Sequence, residues 1–526
     1  MKQPSPRIDV DLAELDQIID EGMRAPLSAS GGQKLKTTLH ALVERVAAHW
    51  RTTEKTRAVL EKPPSAEPGP EKPGRPLGPA SGQPAPAGHG RNHAARYPGA
   101  PRVVIAHPTL HHGDLCPECG VGKVYRQKQP KTLVRIVGRP PLEATRYEME
   151  RLRCNGCNQV FTAAAPPEAG PEKYDETAAA MMAQLRYGSG VPFQRLERLE
   201  GNLGIPLPAA TQWGVVKKKA ELVRPALDEL IRQAAQGEVA HNDDTGMRIL
   251  HLAREPAPEG KGERTGVFTS GIVSRVGVWL IALFFSGWKH AGENLAEVLK
   301  RRAPGLQPLI QMCDALSRNV PKLSEGVRLL LANCLAHGRR QFVEVAANFP
   351  AECRYVLETL GGVWYHDELA RRGNLSRDER LRFHQENSAP LMKALQGWLE
   401  AQLAEHKTEP NSGLGKAIQY MLRHWEPLTL FLREPGAPLD NNLVERALKK
   451  AILHRKNSLF YKTMKGAEVG DLFMSLIHTC ELNGANPVDY LTELQRHAEE
   501  LKRQPSEWMP WNYRDTLARL TLGAAA

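Results

Sequence analysis

The sequence predicts a multidomain α+β protein, and three observations lead there. Its 526 residues exceed what one hydrophobic core usually serves, so about two to four domains are expected. A segment rich in Pro, Gly, Ala and Ser from 62 to 102 cannot bury enough apolar surface to offset its ordering entropy, so it reads as a flexible, extended linker. Beyond it, strand-like runs between 238 and 340 give way to long amphipathic helical stretches. Taken in order, the expected parts are a helical N-terminal region, a zinc-ribbon-like module, a helix-turn-helix, and an α/β core carrying an α-helical insertion.

Residues 8–61 place Leu12, Leu15, Ile18 and Ile19 in one stretch and Leu39, Leu42, Val43 and Val46 in another, the spacing of amphipathic helices. A helical hairpin or a short coiled-coil dimerisation element is one reading of residues 1–61; a helix pair packed on its own chain is the other. Lys and Arg outnumber Asp and Glu by 11, which favours a polyanionic partner. The longest apolar run, residues 276–285, is about half of a membrane-spanning length and suits a buried strand. The first residues, MKQPSPRIDVDLAEL, hold no apolar core for a secretory signal, so a soluble cytoplasmic protein with no membrane partner is expected.

Eight cysteines are few for this length, which argues against a disulfide framework. Cys313, Cys334, Cys353 and Cys480 are scattered in apolar or helical contexts. Cys116/Cys119 and Cys154/Cys157 instead form two CxxC knuckles separated by 34 residues. Each knuckle presents two thiolates from a tight turn, and two knuckles complete a tetrahedral sulfur site for Zn2+. Four protein ligands leave no open position, so that zinc is structural. The module is expected over 103–165, its spacer folding back as a hairpin.

Residues 166–237 read as a helical DNA-binding region. A helix ends at Gly188 or Gly190, a second runs to about Asn202, Gly204 makes a turn, and a third starts from Pro208. Gln194–Glu200, the turn, and Thr211–Lys219 have the length of a helix-turn-helix. Thr211 and Gln212 are suited to reading base edges, and Lys217 and Lys218 to neutralising phosphates. A plain helical hairpin with solvated lysines is the other reading.

From 238 to 480 the pattern is that of a catalytic core. A strand beginning near Val239 ends in Asp243-Asp244, two strands follow, then a helix at about 291–302, then the strand Leu309–Cys313 closed by Asp314. This is the ribonuclease H-like order. Facing alternates along a strand, so one of Asp243 and Asp244 points into a site while the other points away. Asp243 and Asp314 are then placed to share Mg2+ or Mn2+, and Glu445 on a later helix completes the oxygen donors. Around Glu445 lies a basic strip with Arg446, Lys449, Lys450, His454, Arg455 and Lys456, as expected where metal ions meet a phosphate backbone. Asn442 and Glu445 also fit a helix capping box, and a strand-end aspartate often caps a turn. Residues 341–434 are helical with turn breaks, and the last helices are expected over 441–455 and 466–500, the remainder from 481 forming a C-terminal helical tail.

These segments resemble the insertion-sequence 66 family of bacterial transposases. The likeness rests on CPECG and CNGC with their flanks, on the block from Gly170 to Trp213, on HNDDTGMRIL and AHGRRQF, and on LDNNLVERALKKAILHRKNSLF and LNGANPVDYL. The resemblance implies a DDE transposase, with its acids on Asp243 (Asp244 being the alternative), Asp314 and Glu445. Its partners would be element ends and target DNA. Residues 341–434 become an insertion between the second and third acids, and His337, Arg339 and Arg340 match a His-x-Arg-Arg segment that contacts phosphate or braces the site. A homo-oligomer, accessory element-encoded proteins and a place at the bacterial nucleoid follow from the same likeness. One departure stands out: small residues and a tyrosine usually follow the second acid, whereas here Ala315-Leu316-Ser317-Arg318-Asn319 follow. That leaves a catalytically inactive, DNA-binding relative as the alternative.

Overall fold

A computed structural model describes residues 102–525 apart from 128–134, 137–139, 156, 254, 256–262, 265 and 324–326. The expected N-terminal helices and nearly all of the linker lie outside the described residues. The chain divides into two compact units, 66–141 and the remainder from Leu142 onward. The cysteine quartet is split between them.

In the first unit, a bridge between Leu115 and Lys123 closes a turn around Cys116 and Cys119. The Cys116 amide donates to Gly122 O (2.7 Å) and the Gly120 amide to Cys116 O (2.8 Å). Gly120 sits at φ 64°, where a side chain would be strained. The second unit repeats the device: Asn158 takes φ 62° and its amide donates to Cys154 O (3.0 Å). Asn is one of the few residues other than Gly that enter this region readily. Strands β1 (Arg151–Arg153) and β2 (Val160–Thr162) flank that knuckle as an antiparallel pair. Each cysteine pair therefore has its own hairpin tip.

The four thiols of the two knuckles differ in exposure. Cys116 and Cys154 are half-buried, whereas Cys119 and Cys157 are exposed. The reason lies in the turns. The pairing around the second knuckle ends where the Cys154 amide donates to Gln159 O (2.9 Å), and Cys157 falls beyond it at the tip. Cys119 holds the same place beyond the bond from Cys116 to Gly122.

Helices α1 (Glu176–Ala183), α2 (Phe193–Asn202) and α3 (Ala209–Ala234) follow, with a π-helical turn at Gln184–Gly188. Asp175 caps α1, and Gly204 at φ 84° makes the expected turn. The third helix is 26 residues long, continues through Pro225, and buries Val216, Val223, Ala226 and Leu230 in the core.

The sheet comes next: β3 (Val239–Gly246), then a short β4 (Ile249–His251), β5 (Phe268–Val276), β6 (Trp279–Gly287), helix α4 (Ala291–Leu299), β7 (Leu309–Cys313) and β8 (Leu329–Asn333). Its order is β6-β5-β3-β7-β8, with β5 antiparallel to both neighbours and β3, β7 and β8 parallel. Alternation along the strands separates two cores. Ala240 and Leu309 face the one containing α3, while Val239, Ile310 and Met312 face the other. Parallel strands buried on both faces read as the near-continuous apolar runs seen here.

That second core belongs to the helical segment: α5 (Leu335–Val345), α6 (Pro350–Arg372), α7 (Arg377–Asn387), α8 (Ala389–Ala404), α9 (Gly413–Arg423) and α10 (Trp425–Leu428). Returning to the sheet are α11 (Asn442–Ser458), β9 (Tyr461–Thr463, paired with β4) and α12 (Met464–Leu482). Expected as one helix from 466 to 500, the last stretch is instead broken, and α13 (Pro487–Arg496) restarts where Asn486 caps it and Pro487 occupies its first turn. α14 (Ala498–Arg503) and α15 (Tyr513–Ala525) complete the chain, and Tyr490, Leu494, Trp508 and Tyr513 close the first core.

Strand β6 is one edge of the sheet, and α12 covers it with side chains. The amides of Leu280, Ala282, Phe284 and Ser286 donate to Asn483 (3.2 Å), Thr479 (3.1 Å), Ser475 (3.0 Å) and Asp471 (2.6 Å). Four helical residues rise about 6 Å and two strand residues about 6.6 Å, so the acceptors stay in step with the donors. Burial holds the Asp471 carboxyl up at about 7, against the two hydrogen bonds that Ser286 gives it. Among the described residues no helix is long and apolar enough to cross a membrane.

Candidate active site

The pairing of β3 with β7 sets His241 beside Met312, which brings Asp243, two residues on, next to Asp314. Asn319, at the end of the 3-10 turn Ser317–Asn319, binds both. Its amide nitrogen donates to Asp243 Oδ1 (3.2 Å) and Asp314 Oδ1 (2.5 Å), so the two oxygens can be no further apart than these contacts together allow. Burial, and after it the neighbouring charges of Asp314 and Asp244, push the Asp243 carboxyl up to about 6, against the Asp244 amide and Asn319, which favour its ionised form. Asp244 faces elsewhere. Its carboxylate is 1% exposed and meets His290 Nδ1 (2.9 Å) and Arg318 (3.6 Å).

Glu445 lies in the first turn of α11, where a helix N-terminus favours a negative charge. Asn441, fully buried, pins that turn to β3: its amide donates to Asn242 O (3.1 Å) and its carbonyl meets His241 Nδ1 (3.2 Å). Glu445 also stands 3.8 Å from His337 Nδ1. Among the described residues, one set of three His, Cys, Asp or Glu side chains has donor atoms all within 4.8 Å of one another: Cys334, His337 and Glu445. The structure thus brings Asp243 and Asp314 together, and groups Glu445 with His337 and Cys334 at the same end of the sheet. Cys334 was missed as a candidate donor, although Cys-x-x-His spacing ahead of His337 is a signal for it. Burial pushes its thiol up to about 12, so it is neutral without a cation.

Two carboxylate oxygens and a buried amide whose Oδ1 has no partner make a hard, oxygen-rich donor set. Such a set fits a divalent ion of the Mg2+ or Mn2+ type. Residues 173–469 match the model of the transposase IS66 family. The chain belongs to that family. It is 28% identical over 398 residues to the uncharacterized protein y4jD of Sinorhizobium fredii, covering 71% of this chain and 73% of the relative. To y4hP of the same organism it is 27% identical over 444 residues, covering 81% and 77%. Membership in the transposase IS66 family implies DNA as partner and a divalent metal in the chemistry.

In this IS66-family chain the predicted DNA contacts divide by environment. Arg340, Arg446, Lys449 and Lys456 are exposed on α5 and α11. Arg455 is taken up by Thr245 Oγ1 (3.1 Å) and Gly246 O, tying α11 to the end of β3. Arg339 is buried, at 7% exposure. His454 stacks on Tyr461 (4.1 Å) and burial drives its pKa down to about 3, so it is neutral and no phosphate contact. Gln212, expected to read a base edge, is engaged within the fold instead. It is fully buried, and its amide donates to Phe193 O (3.0 Å) and Leu207 O (2.8 Å), fastening the turn between α2 and α3. Lys218 pairs with Glu172 (3.1 Å), while Lys217 is exposed and Thr211 half-buried.

Proposed function

We propose that the chain is a DDE-type transposase in which Asp243, Asp314 and Glu445 carry the reaction. The observation that carries the reading is the Asp243–Asp314 pair: two carboxylates held against each other by one buried amide, at an electrostatic cost that a bound cation would relieve. The sheet order, with its antiparallel second strand and a parallel return after α4, supports a ribonuclease H-like core.

Asp243 and Asp314 would hold the divalent ion, and Glu445 would complete its surroundings from the α11 N-terminus. The ion supplies charge stabilisation at the phosphoryl oxygens and favours the deprotonated nucleophile. Arg340, Arg446, Lys449 and Lys456 would grip the phosphate backbone and orient it for in-line displacement. Hydrolysis at an element end frees a 3′-hydroxyl. That hydroxyl then attacks a target phosphodiester, forming one P–O bond as another breaks and a target 3′-hydroxyl leaves.

Cys116, Cys119, Cys154 and Cys157 would share a structural Zn2+. With the α2–α3 region this module would recognise terminal repeats within a homo-oligomer. The grouping of Glu445 with Cys334 and His337, outside the aspartate pair, favours a second reading: an inactive relative that binds element ends without cutting. Strand transfer on end-containing DNA with Mg2+ decides between them. Wild type should yield products covalently joined to target, and Glu445→Gln should bind ends but join none. Joining unchanged by Glu445→Gln removes the catalytic assignment; end binding by wild type without cleavage establishes the second reading.

A further inference from the structure

We infer that Asn319 is a ligand of the catalytic cation, supplying its amide oxygen beside the carboxylates of Asp243 and Asp314. The inference rests on the metal-dependent reading above and extends its donor set. Asn319 is fully buried, and its Oδ1 has no hydrogen-bond partner while its Nδ2 lies between the two carboxylates. A half-turn of the amide plane exchanges nitrogen and oxygen with little change of shape. The oxygen would then lie about where the nitrogen now is, 3.2 Å from Asp243 Oδ1 and 2.5 Å from Asp314 Oδ1. Neighbouring oxygens around an octahedral ion with bonds of about 2.05 Å stand about 2.9 Å apart, which these two distances bracket.

The donor is also held in place from outside the site. The Asn319 carbonyl accepts from Asn242 Nδ2 and Gln311 Nε2, both at 2.7 Å. Gln311 in turn donates to Asn242 Oδ1 at 2.7 Å, so the strands bearing the two acids fix the turn between them. On its other side the turn meets α4 at Gly292, where a Cβ would fall 2.7 Å from the carbonyls of Arg318 and Val320. A neutral oxygen suits this position, because it adds coordination without adding a third negative charge. With the cation absent, the nitrogen end bridges the carboxylates; with it present, the oxygen end faces the ion.

Binding of Mn2+ to the full-length protein, read from loss of the free-ion electron paramagnetic resonance signal without DNA, tests this. Asn319→Leu keeps the branched shape and removes both polar atoms, and it should weaken Mn2+ at least tenfold. Asn319→Asp restores an oxygen and should bind at least as tightly as wild type. Asn319→Ala takes the place of the Leu variant if that one does not fold in a metal-free melt. Wild-type affinity in Asn319→Leu, with affinity lost in Asp243→Asn, overturns the Asn319 assignment and leaves the transposase reading standing. Affinity lost equally in Asn319→Asp also overturns it, by showing that the N–H donor is what matters. Affinity unchanged in Asp243→Asn removes the shared cation site itself, and the inference with it.

Discussion

Replacing Asp243 by Asn should make the metal-free protein more stable while removing its response to metal. The Asp243 carboxyl titrates at about 6 in the fold against an ordinary 3.8. Because the folded value is raised, the ionised group opposes folding, and stability falls as pH climbs from about 4 to about 6, then stays at the lower level. One pK unit is about 1.36 kcal/mol, so the full effect is about 3 kcal/mol at pH 8 and about 1.5 kcal/mol at pH 5. Asparagine carries no charge, and its oxygen can still accept from the Asp244 amide and from Asn319, the two contacts Asp243 Oδ1 now makes. Urea melts in EDTA at the two pH values measure the gap between variant and wild type. Saturating Mn2+ should then stabilise wild type by about 2.7 kcal/mol at one hundred times its dissociation constant, and the variant hardly at all. A variant no more stable than wild type at pH 8, or a gap that grows as pH falls, refutes the picture of a charge held at a cost for binding a cation.

Three other outcomes follow from the same physics. Asp471→Asn should raise the melting point at pH 8.5 by an amount on the order of 4 kcal/mol of stability, a gap that narrows toward pH 5.5 because the raised carboxyl of about 7 is there protonated. Gln212→Ala leaves the carbonyls of Phe193 and Leu207 without their donor, so it should cost about 2 kcal/mol in a urea melt and leave affinity for DNA per folded molecule unchanged. Cys154→Ser should strip zinc from the purified protein, measured by elemental analysis; full zinc content in that variant removes the shared sulfur site.

Much of the frame was legible in the chain itself. Short strand-like runs carrying Asp243 and closed by Asp314 located β3 and β7, although β3 runs on to Gly246, and Asn202, Gly204 and Pro208 marked the end of α2 and the start of α3, because these signals are local. What escaped depends on contacts distant in sequence. His241 and Asn441 are 200 residues apart, and nothing in either neighbourhood announces the bond that sets α11 against β3. Asn319 looked like part of a loop that departs from a familiar pattern, since its position between two carboxylates exists only once the strands pair. Gln212 looked suited to read bases for a similar reason: its residue type fits that task, and burial gave it another.

The row of α12 side chains along β6 has a consequence for assembly. Every outward amide from Leu280 to Ser286 that another molecule's strand would seek is already engaged, so this flank offers no template for β-addition. The match also tolerates no slippage: losing one residue between Asp471 and Asn483 would swing the far acceptors about 100° around the helix and bare the flank. Any partner strand that seeks this sheet must therefore look elsewhere than the β6 flank.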